Sequence, residues 1–245
     1  MNAVANWAPP ADHLAPVYSQ WALDVVDGSG VYLNTRDGRK VLDLYGGHAV
    51  AALGYSHPRL LAALEAQAKA LIFQSNAVPL DVRARAALRL TRLAGHGLNT
   101  AFFISTGAEA NENALKLALR IMGRRKVVAI EGSFHGRTAA AGAVTWGAAK
   151  KWYGFPQAPF DVEFVPRGDL AAIERLISTD TAAVIVEPVQ GVCGALDLGD
   201  PLLVDRESGF TPLELRSARV ELRLTLVELG GAFTQDLLDA RVELA

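Results

Sequence analysis

Ser105-Thr106-Gly107-Ala108-Glu109-Ala110-Asn111-Glu112, entered through Ala101-Phe102-Phe103-Ile104, is the stretch that decides the fold. The four apolar residues before it read as a strand, and Asn113 to Arg120 continue it as a helix. Thr106 and Glu109 have the spacing of a capping box, in which hydroxyl and carboxylate each take up a backbone N–H at the helix start. Gly107 lets the backbone approach a bound group closely. A strand, a tight turn of small residues and a fresh helix N-terminus make an anion site whose usual occupant is phosphate. An ordinary capped helix satisfies the same local pattern.

Outward from that stretch, strands and helices alternate. Val31-Tyr32-Leu33 and Val41 to Leu44 flank Asp37-Gly38 as a hairpin. Pro58 opens a helix with Leu60, Leu61, Leu64, Ala68 and Leu71 on one face, and a second helix runs from Leu80 to Ala94 and stops at Gly95. Lys126 to Ile130 is a buried strand leading into Glu131-Gly132-Ser133-Phe134-His135-Gly136-Arg137. Phe160 to Val165 is another strand, and Asp169 caps a helix carrying Leu170, Ile173, Leu176 and Ile177 on its inner face. Ala182 to Val186 is a third buried strand, ending in Glu187-Pro188-Val189-Gln190-Gly191. This rhythm predicts an α/β fold with a mainly parallel sheet flanked by helices, whose ligands sit beyond the carboxyl ends of the strands.

Composition narrows the chemistry. The chain has 245 residues, 51% of them hydrophobic, and a formal net charge of −2. That predicts a sizeable core and no basic nucleic-acid face. No apolar run is long enough to span a bilayer, and the first residues lack a signal-peptide pattern, so no membrane partner is expected. One cysteine, Cys193, excludes an internal disulfide and fits a reducing cytoplasm; a small buried apolar role is expected for it. His13, His48, His57, His96 and His135 lack metal-ligand spacing, so no metal is expected.

Taken together, Asp43 to Val50, Leu53 to Pro58, Ser105 to Glu112, Phe134-His135-Gly136-Arg137-Thr138 and Glu187 to Gly191 resemble the N-terminal half of a class III, fold-type I aminotransferase. Acetylornithine aminotransferase and its relatives are the nearest subfamily. The resemblance runs from about Tyr18 to about Asp200. It implies an incomplete large domain that binds pyridoxal 5'-phosphate over residues 61–200. A small α+β segment with the hairpin, residues 1–60, would precede it, and a tail of unknown structure, residues 201–245, would follow. It implies that Gly107 and Ala108 hold the cofactor phosphate through backbone N–H groups and that Phe134 lies against the pyridine ring. Arg137 would fork onto a substrate carboxylate, and Glu187 would sit near the cofactor and the amino-group chemistry. Glu109 and Asn111 are supports in the same picture. The implied reaction moves an amino group from an N-acyl-ornithine-like amino acid to 2-oxoglutarate, in a cytoplasmic homodimer.

The chain departs from that pattern after Gly191. The family's Schiff-base lysine and ring-nitrogen aspartate follow the Glu-Pro-Val-Gln-Gly segment, whereas the last lysine here is Lys151. Lys126, Lys150 and Lys151 read as exposed surface residues. Val192 stands where many relatives have glutamate. Val220 to Leu226 alternates like a strand, but the tail shows no βα rhythm. These departures predict weak or lost cofactor binding, no catalytic residue, and a coding frame lost near Asp200. The alternative is a non-catalytic module that pairs with a complete aminotransferase subunit.

Overall fold

The computed structural model describes residues 15, 17, 20–95 and 97–197. His13, His96, the Leu170 side chain and everything from residue 198 lie outside the described residues, and so does the tail expected at 201–245. The chain divides into two compact units between Val78 and Pro79.

In the first unit β1 (Val25–Ser29), β2 (Tyr32–Thr35) and β3 (Lys40–Leu42) form an antiparallel sheet in that order. Tyr32 faces Leu42 and Asn34 faces Lys40 across the expected hairpin. Gly38 turns the chain with φ of 85°, a value that favours glycine. Thr35 closes the turn by accepting the Arg39 N–H on its hydroxyl at 3.0 Å. The strand β1 was not expected. A register shift falls between its Val25 and Asp27, and Gly28 lies under the Tyr55 ring. A single turn, α1 (Gly46–Ala49), follows with left-handed Gly47 and His48. Helix α2 (Pro58–Ala70) starts on its proline, but none of its residues is buried, and Leu60, Leu61 and Leu64 stay exposed.

Asp43 organises the loop after β3. Its Oδ1 accepts the Tyr45 and Gly46 N–H groups at 2.8 and 2.9 Å, and its other oxygen takes the Tyr55 hydroxyl. The Tyr55 hydrogen bond, then the two N–H groups, hold the Asp43 carboxyl below its ordinary range. The same bond pushes the Tyr55 phenol above its ordinary value. A raised folded pKa means that Tyr55 stabilises the fold fully below its unfolded value and loses that contribution as pH climbs through the folded one. A lowered one means that Asp43 contributes above its unfolded value and loses this as pH falls through the folded one. Subtracting the tyrosinate absorbance titration of Tyr55→Phe from the parent curve is expected to give a midpoint above about 10. Asp43→Asn should bring it back down; an unchanged midpoint in that variant would refute the coupling.

The second unit holds α3 (Asp81–Ala94), α4 (Gly107–Met122), β4 (Lys126–Ile130), α5 (Ala139–Ala143), β5 (Asp161–Val165), α6 (Leu170–Leu176), β6 (Thr181–Ile185) and a short hairpin of β7 (Val189–Gln190) and β8 (Leu196–Asp197). The strands β5, β4 and β6 make a parallel sheet with β4 in the middle. Period-two alternation along β4 splits the core. Val127 and Ala129 pack with Leu115 and Ala118 of α4 and with Ala140 and Val144 on one face. Val128 and Ile130 pack with Val165 and with Ala172 and Ile173 of α6 on the other. Helices therefore cover both faces, as parallel strands require. Asp169 caps α6 as expected, accepting the Ala172 N–H at 2.8 Å.

Ala101-Phe102-Phe103-Ile104 is a correction. It forms no strand, and Phe102 and Phe103 are exposed. Strand composition alone cannot make a ladder, and among the described residues no other strand pairs with this segment. Lys126 is a second correction. Its side chain is 15% exposed, its Nζ donates to the Leu176 carbonyl, and Glu163 lies 3.3 Å away.

Candidate functional site

The parallel strands deliver two segments to one end of the sheet: Glu131 to Arg137 after β4, and Glu187 after β6. The start of α4 meets them there. Its capping box is formed: the Glu109 N–H reaches the Thr106 hydroxyl at 3.1 Å. The Glu109 carboxylate takes the N–H groups of Ser105 and Thr106 at 2.8 and 3.1 Å. Gly107 and Ala108, the first two helical residues, donate to nothing among the described residues. A β-carbon at Gly107 would meet nothing within 4 Å. Two uncommitted N–H groups over open space at a helix N-terminus can hold an anion.

The Phe134 to Arg137 loop rests against that helix start. A β-carbon on Gly136 would stand 2.6 Å from Ala108 Cβ and 2.9 Å from Ala108 Cα, and Gly136 has φ of 132°. Only glycine satisfies both conditions. Asn111, 4% exposed, donates from Nδ2 to the His135 carbonyl at 2.8 Å. The buried Thr145 hydroxyl accepts the His135 N–H and sits 2.9 Å from the carbonyls of Gly136 and Ala141. From the other side Glu187, 8% exposed, takes the Phe134 N–H on Oε1 at 2.5 Å.

Of the expected site residues, Phe134 and Glu187 are thus joined directly. Ala108 touches the same loop two residues further on, and Gly107 precedes it in the chain. Arg137 diverges: it is exposed, and its guanidinium lies over the Trp152 ring, 5.8 Å from the centroid. The cavity of about 480 Å³ beside α5 is lined by Thr145, Trp146, Phe155 and Phe164, and by none of these five residues. Cys193 is exposed, contrary to its expected buried role, because it stands in the turn between β7 and β8.

Glu112 is the residue that sequence reasoning passed over. Its Oε2 accepts the Thr138 hydroxyl at 2.6 Å and the N–H groups of Ala140 and Ala141 at 2.8 and 3.1 Å. It caps α5 from another helix, so no local spacing announces it. Lys126 begins β4 and therefore stands at the end of the sheet opposite Glu187. It does not reach this site.

The profile of the family described as Aminotransferase class-III matches residues 14–202. The chain belongs to the class-III aminotransferases. Among its relatives, the acetylornithine aminotransferase of Methanopyrus kandleri is 42% identical over 179 residues, covering 72% of this chain and 45% of its own. That of Myxococcus xanthus is 40% identical over 188 residues, 74% of this chain and 46% of its own. The ornithine aminotransferase of Toxoplasma gondii, whose description places PLP at its active site, superposes with a TM-score of 0.68 at 27% identity, over 75% of this chain and 45% of its own. This class-III aminotransferase chain spans about half the length of the curated relatives it matches. Family membership implies pyridoxal phosphate as cofactor. No helix among the described residues is long and apolar enough to cross a membrane.

Proposed function

We propose that this chain carries the phosphate- and ring-holding part of a pyridoxal-phosphate-dependent transaminase for an N-acyl-ornithine-like amino acid and 2-oxoglutarate, and that by itself it does not turn over. The observation that carries the reading is the meeting of three segments at one end of the parallel sheet. Gly136 lies on Ala108, and Glu187 holds the Phe134 N–H. The uncommitted N–H groups of Gly107 and Ala108 fit a phosphate. Phe134, with its backbone fixed by Glu187, would pack on the ring. Arg137 would take a substrate carboxylate as a fork, once it leaves Trp152. When bound, the cofactor supplies an aldehyde for amino groups and a ring that draws off electrons.

Affinity supports the second half of the proposal. A helix N-terminus contributes about 0.3–1 kcal/mol per charge, and up to about 2 in good geometry. Millimolar binding needs about 4 kcal/mol. The remainder must come from backbone hydrogen bonds, stacking and a lysine attachment. No lysine follows Lys151, and Lys126 is tied up at the far end of the sheet. The exposed Leu60, Leu61 and Leu64 on α2 favour a second reading, a module that pairs with a complete subunit as in a dimer.

The test is borohydride reduction of the purified chain with pyridoxal phosphate, followed by mass analysis, beside transaminase assays alone and with a full-length relative. Expected is no stoichiometric lysine label and no activity alone. A single labelled lysine with turnover would overturn the inactivity. Raised activity of the mixture would favour the pairing module.

A further inference from the structure

The cavity of about 480 Å³ beside α5 lies apart from the residues assigned to the cofactor. Its size falls among small-molecule sites, which span about 300–1,000 Å³. Three rings wall it, those of Trp146, Phe155 and Phe164. Trp146 and Phe164 meet edge to face, with centroids 5.0 Å apart and planes at 67°, so two ring surfaces are held at an angle. Trp146 is 45% exposed and Phe155 62%, and apolar surface left wet inside a concavity favours an apolar occupant. Thr145 adds no polar group to the wall, because its hydroxyl serves the His135 N–H and the carbonyls of Gly136 and Ala141. Among the described residues Lys150 is the one charged member of the lining. It ends the short turn Ala148–Lys150, is exposed, and forms no ion pair with any described carboxylate. An aromatic wall with one uncompensated cation suits a flat ring that carries a single negative charge.

We propose that this cavity is a binding site for a small aromatic carboxylate. The ring packs against Trp146, Phe155 and Phe164, and the carboxylate pairs with the Lys150 ammonium. Binding is non-covalent, needs no pyridoxal phosphate and stands apart from the transaminase reading.

2-Naphthoate and its neutral amide, 2-naphthamide, separate the charge from the ring. Each is titrated into the full chain without pyridoxal phosphate, and its dissociation constant is read by equilibrium dialysis. 2-Naphthoate should saturate the chain with a Kd below about 1 mM. The preference for the acid over the amide should fall about threefold to fivefold in Lys150→Met, the upper range for an exposed ion pair. Lys150→Arg should keep it. The chain has four tryptophans, and the indole N–H signal of Trp146 is assigned by its loss in Trp146→Phe. On adding 2-naphthoate that signal should move more than the other three. The N–H groups of Gly107 and Ala108 offer an anion a different place, and binding there would leave the Lys150→Met ratio unchanged. No saturable binding, an unchanged ratio in Lys150→Met, or a Trp146 signal that stays still would each overturn the proposal. If Lys150→Met does not fold by circular dichroism, the Trp146 signal of the parent chain decides alone.

Discussion

Gly136→Ala is expected to destabilise the second unit by about 4 kcal/mol. Two effects act on the same atom. A φ of 132° is strained for any residue with a β-carbon, at about 1–3 kcal/mol. The new carbon also falls 2.6 Å from Ala108 Cβ and 2.9 Å from Ala108 Cα, and overpacking of that kind costs about 1–3 kcal/mol. Helix α4 cannot withdraw cheaply, because Leu115 and Ala118 of the same helix are locked into the core. Against a typical stability of about 5–15 kcal/mol, such a loss should be plain in the urea midpoint of the far-ultraviolet signal. Ala108→Gly added to the variant should restore part of the loss, since it removes the nearer of the two atoms. A midpoint within about 0.5 kcal/mol of the parent would mean that the loop and the helix start are not in contact.

Glu112→Ala should cost about 3 kcal/mol. One carboxylate oxygen serves a hydroxyl and two N–H groups of the segment that begins α5. Hydrogen bonds to a charged acceptor contribute about 1.5–3 kcal/mol each, and three on one atom fall short of additive. Glu112→Gln keeps an oxygen in place without the charge, and neutral bonds are about half as strong. It should therefore recover about half of the loss. A Glu112→Gln variant as stable as the parent would show that packing of the side chain, not its charge, does the work.

What the sequence disclosed, and what it hid, divides by the range of the interaction. The capping box of Thr106 and Glu109, the Asp169 cap and the strand Lys126 to Ile130 all depend on neighbours within a few residues, and they were legible at their true positions. Phe134 and Glu187 were named from a family resemblance. Their hydrogen bond joins residues 53 apart in the chain, a distance no periodicity reports. Helix α5, written Ala-Ala-Ala-Gly-Ala, has no amphipathic signal of its own. It exists on a carboxylate borrowed from α4 and on the close packing of its alanines. Ala101 to Ile104 failed in the opposite way: its apolar composition announced a strand, but a strand needs a neighbour as well as a propensity. Cys193 was misjudged because residue type speaks to average burial, whereas the β7–β8 turn sets its exposure.

The middle position of β4 has one more consequence. Its backbone amides are bounded by a strand on each side and by apolar side chains above and below. Among the described residues β5 and β6 each have one neighbour in this sheet. Peeling can begin at either flank, but β4 gives up its protons only when the whole unit comes apart. Among the described residues the slowest deuterium uptake thus belongs to Val127, Val128, Ala129 and Ile130, and it measures the free energy of opening the second unit.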